Sequence, residues 1–388
     1  MQSISAQRLP KQQIRVMFDR ARELEQGGRK IIHLEIGRPD FDTPPHIVEA
    51  TVRALREGKH HYSANAGILE LRRAVADKYH HEYGLSYDPG SEIVVTNGVG
   101  EGVFLAINAL LNPGDQVLIP DPRWVNYAPD AFAALADPVS YTLVEEEGFQ
   151  PDPEEVASLI TPRTRMLLLA SPSNPTGGVI GPEVFERLAR LAVERDLVVV
   201  SDEIYEKIIY APAIHICAAS LEGLRERTIV LNGLSKFYSM TGWRLGFALG
   251  PQTLIDPMLR YHQYMITSTN TFAQWGGVTA LQEDQGPSLA MVEEFRKRRD
   301  YLVDAVDRLP GFSCTKPSGA FYIFPSIAET GLSGEELSRL LLEEAGVATV
   351  AGEHFGRRGA GHIRISYANS LQNLKEAVDK IQAVTRTL

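Results

Sequence analysis

Six short apolar runs alternate with longer amphipathic stretches through the middle of the chain. Continuous apolar runs of this length are typical of strands that are covered on both faces, and the amphipathic stretches between them are typical of crossover helices. This alternation predicts an α/β domain with a largely parallel sheet. The runs are EIVVT (92–96), QVLIP (116–120), RMLLLA (165–170), LVVVSDE (197–203), TIVLN (228–232) and LGFALG (245–250).

The pattern changes after about residue 290. A long charged helical pattern, MVEEFRKRRDYLVDAVDRL, precedes short apolar stretches around GAFYIFP and HIRISYA and a closing amphipathic pattern, LQNLKEAVDKIQAV. This change indicates a separate α+β lobe, as expected for 388 residues at roughly 100 to 200 residues per domain. We predict an N-terminal arm with part of a small domain (1–45), a large domain (46–290) and a small C-terminal domain (291–388).

Composition excludes several classes of partner. Lys and Arg number 39 against 49 Asp and Glu, and this net charge of −10 argues against a nucleic-acid partner. Cys217 and Cys314 lie far apart and have no CxxC partner, which argues against a disulfide framework or a structural zinc site. No apolar run approaches the ~18 residues that cross a bilayer. We therefore expect a cytoplasmic protein without a membrane partner or a metal.

The segment that follows the first apolar run contains several glycines. It reads NGVGEG (97–102) and leads into the helical pattern VFLAINALL. Ligands bind beyond the carboxyl ends of strands in open α/β sheets, and glycines before a helix let backbone N–H groups approach a phosphate. The segment is not GxGxxG, which weakens a dinucleotide interpretation, and a plain tight turn explains it equally well.

Two later strand ends carry polar side chains. SPSNPTGG follows RMLLLA and forms a turn around Asn174, which a loop without function would also explain. DEIY places Asp202 at the end of a buried strand and Tyr205 three residues later. A buried carboxylate must be paired or hydrogen-bonded. We expect Asp202 to have a cationic partner, such as a protonated ring nitrogen.

Lys236 stands alone among small and aromatic residues in NGLSKFYSMTGWRLGF. A lysine shielded from water can have a lowered pKa and act as an amine nucleophile, although a surface lysine with an extended stem is the ordinary alternative. Arg244 follows eight residues later, and its planar fork suits a phosphate. The strand-end acid, the lysine, the arginine and the glycine turn together match the groups that bind pyridoxal 5′-phosphate (PLP).

The sequence resembles the class I and II aminotransferases of the aspartate aminotransferase fold, which is PLP-dependent fold type I. Ser235, Lys236 and Arg244 form a Ser-Lys-x₇-Arg pattern close to the lysine signature of that family. The resemblance runs from IGRPDFDTP through HYSANAGILELR, DPRWVNY and KPSGAFYIFP to HIRISYA, and it is strongest to prokaryotic aspartate and aromatic aminotransferases. It implies an α/β large domain with a mostly parallel seven-stranded sheet, and a smaller α+β domain.

The resemblance also implies roles for the residues around the cofactor ring. Lys236 would hold PLP as an aldimine and then move a proton between the substrate Cα and the cofactor. Asp202 would pair with the ring nitrogen, and Asn174 and Tyr205 would bind the 3′-oxygen. Trp124 would stack on the ring, with an ordinary core tryptophan as the alternative.

Further residues are implied for the cofactor phosphate. The backbone amides of Gly98, Val99 and Gly100 would bind it, with the Ser235 hydroxyl and the Arg244 guanidinium. This assignment follows the family pattern position by position.

Tyr62 matches a tyrosine that reaches the phosphate of the neighbouring subunit, which implies a homodimer with shared active sites. Thr267 is expected near the same junction. Arg364 would grip the substrate α-carboxylate bidentately, a task that a lysine cannot perform with the same orientation. Asn174 and Gly37 would also contact the substrate, Gly37 at the mouth of the site.

Two features depart from the family pattern. The chain has Gly98-Val99 where relatives often have GG or GS, so the loop is expected to sit differently. Arg38 stands where many relatives have Glu, and a cation there could attract the second carboxylate of aspartate, glutamate or 2-oxoglutarate. Alternatively, Arg38 points to solvent or pairs with Asp40. Arg123 is a second candidate with the same ambiguity.

The expected activity is transfer of an amino group between an L-amino acid, acidic or aromatic, and a 2-oxo acid by a ping-pong mechanism. A PLP-dependent lyase, oxidase or hydroxylase of the same fold is the alternative, because the cofactor residues would be identical. A PLP-fold regulator fits less well, since the first thirty residues contain no helix-turn-helix pattern. A nicotinamide dehydrogenase fits least, since no GxGxxG follows a first strand.

Overall fold

The computed structural model describes residues 3–9 and 13–386. Within them the strands are β1 (Ile32–His33), β2 (Ile93–Thr96), β3 (Gln116–Asp121), β4 (Asp137–Val144), β5 (Gln150–Pro151), β6 (Thr164–Ala170), β7 (Val198–Asp202), β8 (Thr228–Gly233), β9 (Gly246–Leu249), β10 (Tyr322–Ile323), β11 (Val347–Ala348), β12 (Val350–Ala351) and β13 (Ile363–Ser366).

The α-helices of the same residues are α1 (Ile4–Arg8), α2 (Gln13–Gln26), α3 (Pro45–Arg56), α4 (Leu69–Tyr83), α5 (Val99–Leu110), α6 (Tyr127–Ala133), α7 (Pro153–Leu159), α8 (Pro182–Glu194), α9 (Gln252–Ile266), α10 (Thr271–Gln282), α11 (Gly286–Val306), α12 (Gly334–Leu340) and α13 (Leu371–Thr385). Short 3-10 turns and one π-helical turn (Leu341–Ala345) complete the described secondary structure.

The main sheet has the strand order β2-β9-β8-β7-β6-β3-β4-β5. Strands β8, β7, β6, β3 and β4 are parallel neighbours, whereas β9 runs antiparallel to both β2 and β8. Seven of these strands have four or more residues, and the two-residue β5 adds an antiparallel eighth at the edge. The α/β class and the mostly parallel sheet are thus as predicted, with one short strand more than expected.

The two faces of the main sheet pack into different hydrophobic cores. Met166 and Leu168 of β6 join one core, whereas Leu167 and Leu169 join the other. This alternation is the two-residue period of a strand that is covered on both faces. Helix α5 lies in the first core and α8 in the second. The apolar runs are continuous because both of their faces are buried.

A second set of elements encloses its own core in the C-terminal part of the chain. Strands β10, β13 and β12 form an antiparallel sheet, and α11 and α13 pack on it through Phe295 and Leu374. Strand β1 pairs with β11, so residues near 32 belong to this part of the molecule. The division at residues 45 and 290 stays a prediction. None of the described helices is long and apolar enough to cross a membrane.

Candidate active site

The predicted site residues follow neighbouring strands of the main sheet. In the register of the sheet, Ala170 at the end of β6 lies beside Asp202 at the end of β7, and Asp202 lies beside Leu231 of β8. Because these strands are parallel, the segments that follow them emerge at one edge. Asn174 and Lys236 are on those segments.

Lys236 is held against the segment that precedes α3. Its Nζ donates a hydrogen bond to the carbonyl of Gly37 at 2.6 Å. Burial lowers the pKa of Lys236 to about 8, and the charges of Arg364 and Arg244 act in the same direction against Asp202. A substantial fraction of the amine is therefore neutral, and nucleophilic, near pH 8.

Asp202 is a buried carboxylate at the end of β7. Its Oδ2 accepts a hydrogen bond from the Tyr127 hydroxyl at 2.7 Å, and its Oδ1 accepts one from the Ile204 amide at 3.2 Å. Burial raises the pKa of Asp202 to about 6 despite these two donors. A carboxylate in this condition would be stabilised by an opposite charge, and a protonated ring nitrogen would supply one.

Arg364 links the second sheet to the site. Its Nη1 donates to Asn174 Oδ1 at 2.9 Å and its Nη2 donates to the carbonyl of Glu35 at 2.6 Å. The guanidinium carbon lies 4.5 Å from the centre of the Tyr322 ring. Its Nε is buried and has no hydrogen-bond partner among the described residues. This fixed, incompletely paired guanidinium is suited to binding a carboxylate.

Tyr205 is buried beside the lysine. Its hydroxyl lies 2.9 Å from that of Tyr322, and its ring centre lies 5.7 Å from Lys236 Nζ. Tyr205 is linked to Arg364 and Asn174 through the Tyr322 side chain, and the binding of a ring oxygen by Tyr205 and Asn174 stays a prediction.

Gly98 and Arg244 form a tight contact at the start of α5. Gly98 is the N-cap of that helix with φ of +78°, and a Cβ at this position would lie 2.6 Å from Arg244 Nη2. Arg244 itself has φ of +56° and donates from Nη2 to the Asn97 carbonyl at 3.3 Å. The guanidinium thus lies at the positive end of a helix, where an anion is favoured.

The hydrogen bonds of the turn limit which backbone amides are free to bind such an anion. The Gly98 N–H donates to the Thr96 carbonyl at 2.8 Å. The N–H groups of Val99 and Gly100 belong to the first turn of the helix and have no acceptor within it by geometry. Ser235 is buried at the start of the segment after β8. These groups are compatible with a phosphate.

Trp124 is partly buried and lies beside the glycine turn. A Cβ at Gly100 would meet its ring at 3.4 Å, and its ring packs edge-on against Tyr127 at 5.5 Å between centres. Since Tyr127 donates to Asp202, the tryptophan lies one side chain away from the strand-end acid. Trp124 also packs at the edge of the core that contains α5, and its stacking role stays a prediction.

Tyr62 and Thr267 lie apart from these residues on the surface of the described chain. The Tyr62 side chain is 90% exposed. Asn65 donates to the Thr267 carbonyl at 2.8 Å, and Thr271 donates to the His61 carbonyl at 2.6 Å. These contacts tie the Tyr62 loop to the region between α9 and α10, which is where the resemblance puts the subunit junction.

The two additional arginines differ in their surroundings. Arg38 is exposed next to Gly37. The nearby Asp40 is paired with Arg298, whose Nη1 lies 2.8 Å from one carboxylate oxygen of Asp40 and 2.9 Å from the other. No ion pair joins Arg38 to Asp40 in the described part of the chain, and the role of Arg38 stays a prediction. Arg123 lies 3.5 Å from Asp121 and lines a cavity of about 530 Å³ whose walls do not include the lysine or the strand-end acid.

Sequence reasoning did not select Tyr127, Tyr322 or Glu35. Tyr127 falls three residues after Trp124 in DPRWVNY, a spacing that puts both near one turn. Tyr322 lies within an apolar strand, where its pattern is that of an ordinary core residue. Glu35 contributes its backbone carbonyl, for which a side-chain pattern gives no signal.

Comparisons with known proteins identify the family of this chain. The chain matches the family model of aminotransferase class I and II over residues 29–381. It is 42% identical over 376 residues to aromatic-amino-acid aminotransferase 2 of Thermococcus litoralis, covering 96% of this chain and 95% of the relative. It is 43% identical over 377 residues to an aspartate aminotransferase of Pyrococcus abyssi, with 96% and 95% covered.

A solved structure of aspartate aminotransferase from Thermus thermophilus with maleate has a TM-score of 0.93 and 41% identity, covering 99% of each chain. The chain belongs to the class I and II aminotransferases. It is an amino-acid aminotransferase with the fold of these relatives. Members of this family use PLP.

Proposed function

We propose that this chain binds PLP at the edge of the main sheet and transfers amino groups between an L-amino acid and a 2-oxo acid. The observation that carries the proposal is the environment of Lys236, whose pKa is lowered to about 8 within electrostatic range of Asp202, Arg364 and Arg244. These groups match the three charged parts of the reactants, namely a ring nitrogen, a substrate carboxylate and a phosphate.

The donor set fits the cofactor at each end. Asp202 would hold the ring nitrogen in its protonated form, and Asn174 and Tyr205 would bind the ring oxygen. When bound, PLP supplies an electron sink for the bonds at the substrate Cα. Trp124 would cover one face of the ring.

The phosphate end rests on charge and backbone geometry. Val99 and Gly100 would donate amides, and Ser235 and Arg244 would add a hydroxyl and a positive charge. Gly98 is supported as a required glycine, since a side chain there would collide with Arg244.

Lys236 is proposed to have two tasks. It would attach to the cofactor in the resting enzyme, and as a free amine it would hold and move the proton at the substrate Cα. Its hydrogen bond to the Gly37 carbonyl supports this role, because it holds the amine in one position beside the predicted substrate residue Gly37. Arg364 would fix the α-carboxylate and so align Cα with the amine.

For substrate preference we propose acidic and aromatic amino acids. Arg38 supports the acidic class, since it is an exposed cation next to Gly37 and its local acid is already bound by Arg298. Relatives named as aspartate and aromatic-amino-acid aminotransferases support both classes. The T. thermophilus relative is described with maleate, a dicarboxylate.

We further propose a cytoplasmic homodimer with shared active sites, in which Tyr62 reaches the phosphate of the neighbouring subunit. Two largely exposed tyrosines, Tyr62 at 90% and Tyr264 at 88%, support a surface that a second copy covers. The free cysteines Cys217 and Cys314 are compatible with a reducing compartment. Sedimentation of the purified protein and PLP affinity of a Tyr62→Ala variant would test the shared site.

The experiment that tests the activity is a half-reaction scan. Purified holoenzyme is mixed with one amino acid at a time and no 2-oxo acid, and both the visible absorbance and the released products are followed. We expect one equivalent of the matching 2-oxo acid per site, earliest for acidic or aromatic amino acids. Lys236→Ala should give none while still binding PLP. Release of ammonia, or normal turnover of Lys236→Ala, would contradict the proposal.

A further inference from the structure

The turn DEIYE (202–206) presents side chains to two different regions. Asp202 and Tyr205 lie at the candidate site, whereas Glu203 and Glu206 enter a buried group of charges behind it. We call Glu203, Glu206, Lys78 and His215 the rear cluster.

Glu203 is completely buried and fully engaged. It accepts hydrogen bonds from Ser201 Oγ at 2.9 Å and from the Ala218 amide at 2.9 Å, and its Oε2 lies 3.0 Å from His215 Nε2. Its backbone amide donates to the Leu231 carbonyl of β8 at 2.8 Å. Both its side chain and its backbone are therefore fixed to neighbouring segments.

Glu206 is anchored mainly by a lysine from α4. Its Oε1 lies 2.6 Å from Lys78 Nζ, its Oε2 accepts the Tyr83 hydroxyl, and its amide donates to the Glu203 carbonyl at 2.9 Å. Lys78 also contacts Glu82 at 2.7 Å nearer the surface. The contact between Lys78 and Glu206 joins the turn to helix α4, which contributes no residue to the candidate site.

The rear cluster has the spacing of a metal site but contains a cation of its own. Ligand atoms of Glu203, Glu206 and His215 all lie within 4.8 Å of one another. The Lys78 ammonium binds Glu206 directly and supplies positive charge there. Burial alone would raise the pKa of Glu206, but Lys78 and then His215 outweigh it and lower that pKa to about 2. Glu206 and Lys78 thus form a buried ion pair within the cluster.

We propose that the rear cluster positions Asp202 and Tyr205, so that Glu203, Glu206 and Lys78 are positioning residues for the cofactor. In this five-residue turn, Glu203 and Glu206 are held in the rear cluster, whereas Asp202 and Tyr205 face the site. Because Tyr205 directly precedes Glu206 in the chain, a shift of Glu206 is transmitted to Tyr205. Removing one member of a buried ion pair leaves an uncompensated charge and forces such a shift. The inference rests on the proposed PLP site and goes beyond it.

The main test variant is Lys78→Met, with the double variant Lys78→Met/Glu206→Gln as its partner. We expect Lys78→Met to weaken PLP binding to the apoenzyme roughly tenfold, the lower end of the effect that loss of supporting partners has at metal sites. The double variant should recover most of that loss, because a neutral pair of similar volume is tolerated. Glu206→Gln alone, which keeps the shape of the side chain, tests the same point if Lys78→Met does not fold.

The control separates positioning from simple loss of stability. Tyr141→Phe removes a buried hydrogen bond to the Leu168 carbonyl on the main sheet and should lower the thermal midpoint without changing PLP affinity. The cluster variants should also move the pH midpoint of the holoenzyme's visible band by about half a pH unit or more.

Two outcomes are distinguishable. If wild-type protein fails to bind PLP, the proposed cofactor site is wrong. If wild type binds PLP and the cluster variants lose only thermal stability, as Tyr141→Phe does, the positioning role is overturned.

Discussion

Two carboxylates of one turn, Asp202 and Glu206, have opposite electrostatic environments although both are buried. Burial raises the pKa of Asp202 to about 6, whereas Lys78 and His215 outweigh burial and lower the pKa of Glu206 to about 2. The difference lies in the partners. Glu206 has an ammonium at 2.6 Å, and Asp202 has a hydroxyl and an amide.

The two faces of the turn therefore differ in role: the front face carries Asp202 and Tyr205, and the rear face carries Glu203 and Glu206. The front face holds groups whose charge states are perturbed, as is common where a ligand or a reaction completes the balance. On the rear face, Lys78 supplies the opposite charge to Glu206 from within the chain itself. Because its folded pKa is depressed, Glu206 adds stability that is present above about pH 4.5 and lost as the pH falls toward 2. Asp202 acts oppositely, since ionising it between about pH 4 and 6 destabilises the cofactor-free protein.

The strongest way to break the comparison is Asp202→Asn. Neutralising the front carboxylate removes the charge that should hold the ring nitrogen protonated, and we expect kcat to fall about 10²- to 10³-fold. Steady-state kinetics with saturating PLP would measure it. Asp130→Asn is the matched control, because burial also raises the pKa of Asp130, to about 7, yet it lies in α6 outside the site. Equal losses in both variants would contradict a special role for Asp202.

Arg364→Lys tests the front face at the substrate end. A lysine keeps the charge but not the fork that Asn174 and Glu35 hold in place, so we expect kcat/KM for amino acids to fall roughly 100-fold. Arg296→Lys, on the exposed surface of α11, should leave kcat/KM unchanged. An unchanged kcat/KM for Arg364→Lys would show that bidentate binding is not required.

The lowered pKa of Lys236 gives a pH prediction of intermediate size. With a pKa of about 8, the neutral fraction of Lys236, and with it the rate at which the apoenzyme captures PLP, should rise about tenfold from pH 7 to 9 and then level off. Nα-acetyl-lysine, with its ordinary pKa, should rise roughly 100-fold over the same range. Stopped-flow absorbance would follow both reactions. A hundredfold rise in the enzyme would mean that the site does not perturb its lysine.

Arg38→Gln should have the smallest effect. It tests whether an exposed charge near the front face contributes to substrate recognition. Since Arg38 is exposed, we expect kcat/KM for aspartate and glutamate to fall only about fivefold, with alanine and phenylalanine unaffected. The difference should shrink at high salt. Arg53→Gln, at the end of α3, is a surface control. An equal change for all substrates would exclude side-chain recognition by Arg38.

Much of the main sheet could be predicted from the sequence. The run TIVLN (228–232) is the strand Thr228–Gly233, and RMLLLA (165–170) is Thr164–Ala170, because continuous burial leaves a continuous apolar signal. Strand β4 was missed, since Asp137–Val144 is only partly buried and contains a proline and an aspartate. The antiparallel direction of β9 was also beyond reach, because an apolar run has no direction.

The predicted site residues are polar residues at or just after the ends of apolar strands, as Asp202 and Lys236 are. Tyr322 was missed because a buried tyrosine in a strand has the same pattern as a core residue. The pairing of Asp40 with Arg298 could not be foreseen, since the two are separated by 258 positions. The packing of α11 against the N-terminal segment decides that Asp40 pairs with Arg298 and not with another arginine.

The contact between Arg364 and the Glu35 carbonyl also has a consequence for the order in which the site is completed. Those residues are 329 positions apart, at opposite ends of the chain. Asp202 and Lys236 are synthesised long before residue 364, so a nascent chain can form the proposed cofactor end of the site first. The contact with a substrate carboxylate that we propose for Arg364 would then be added last.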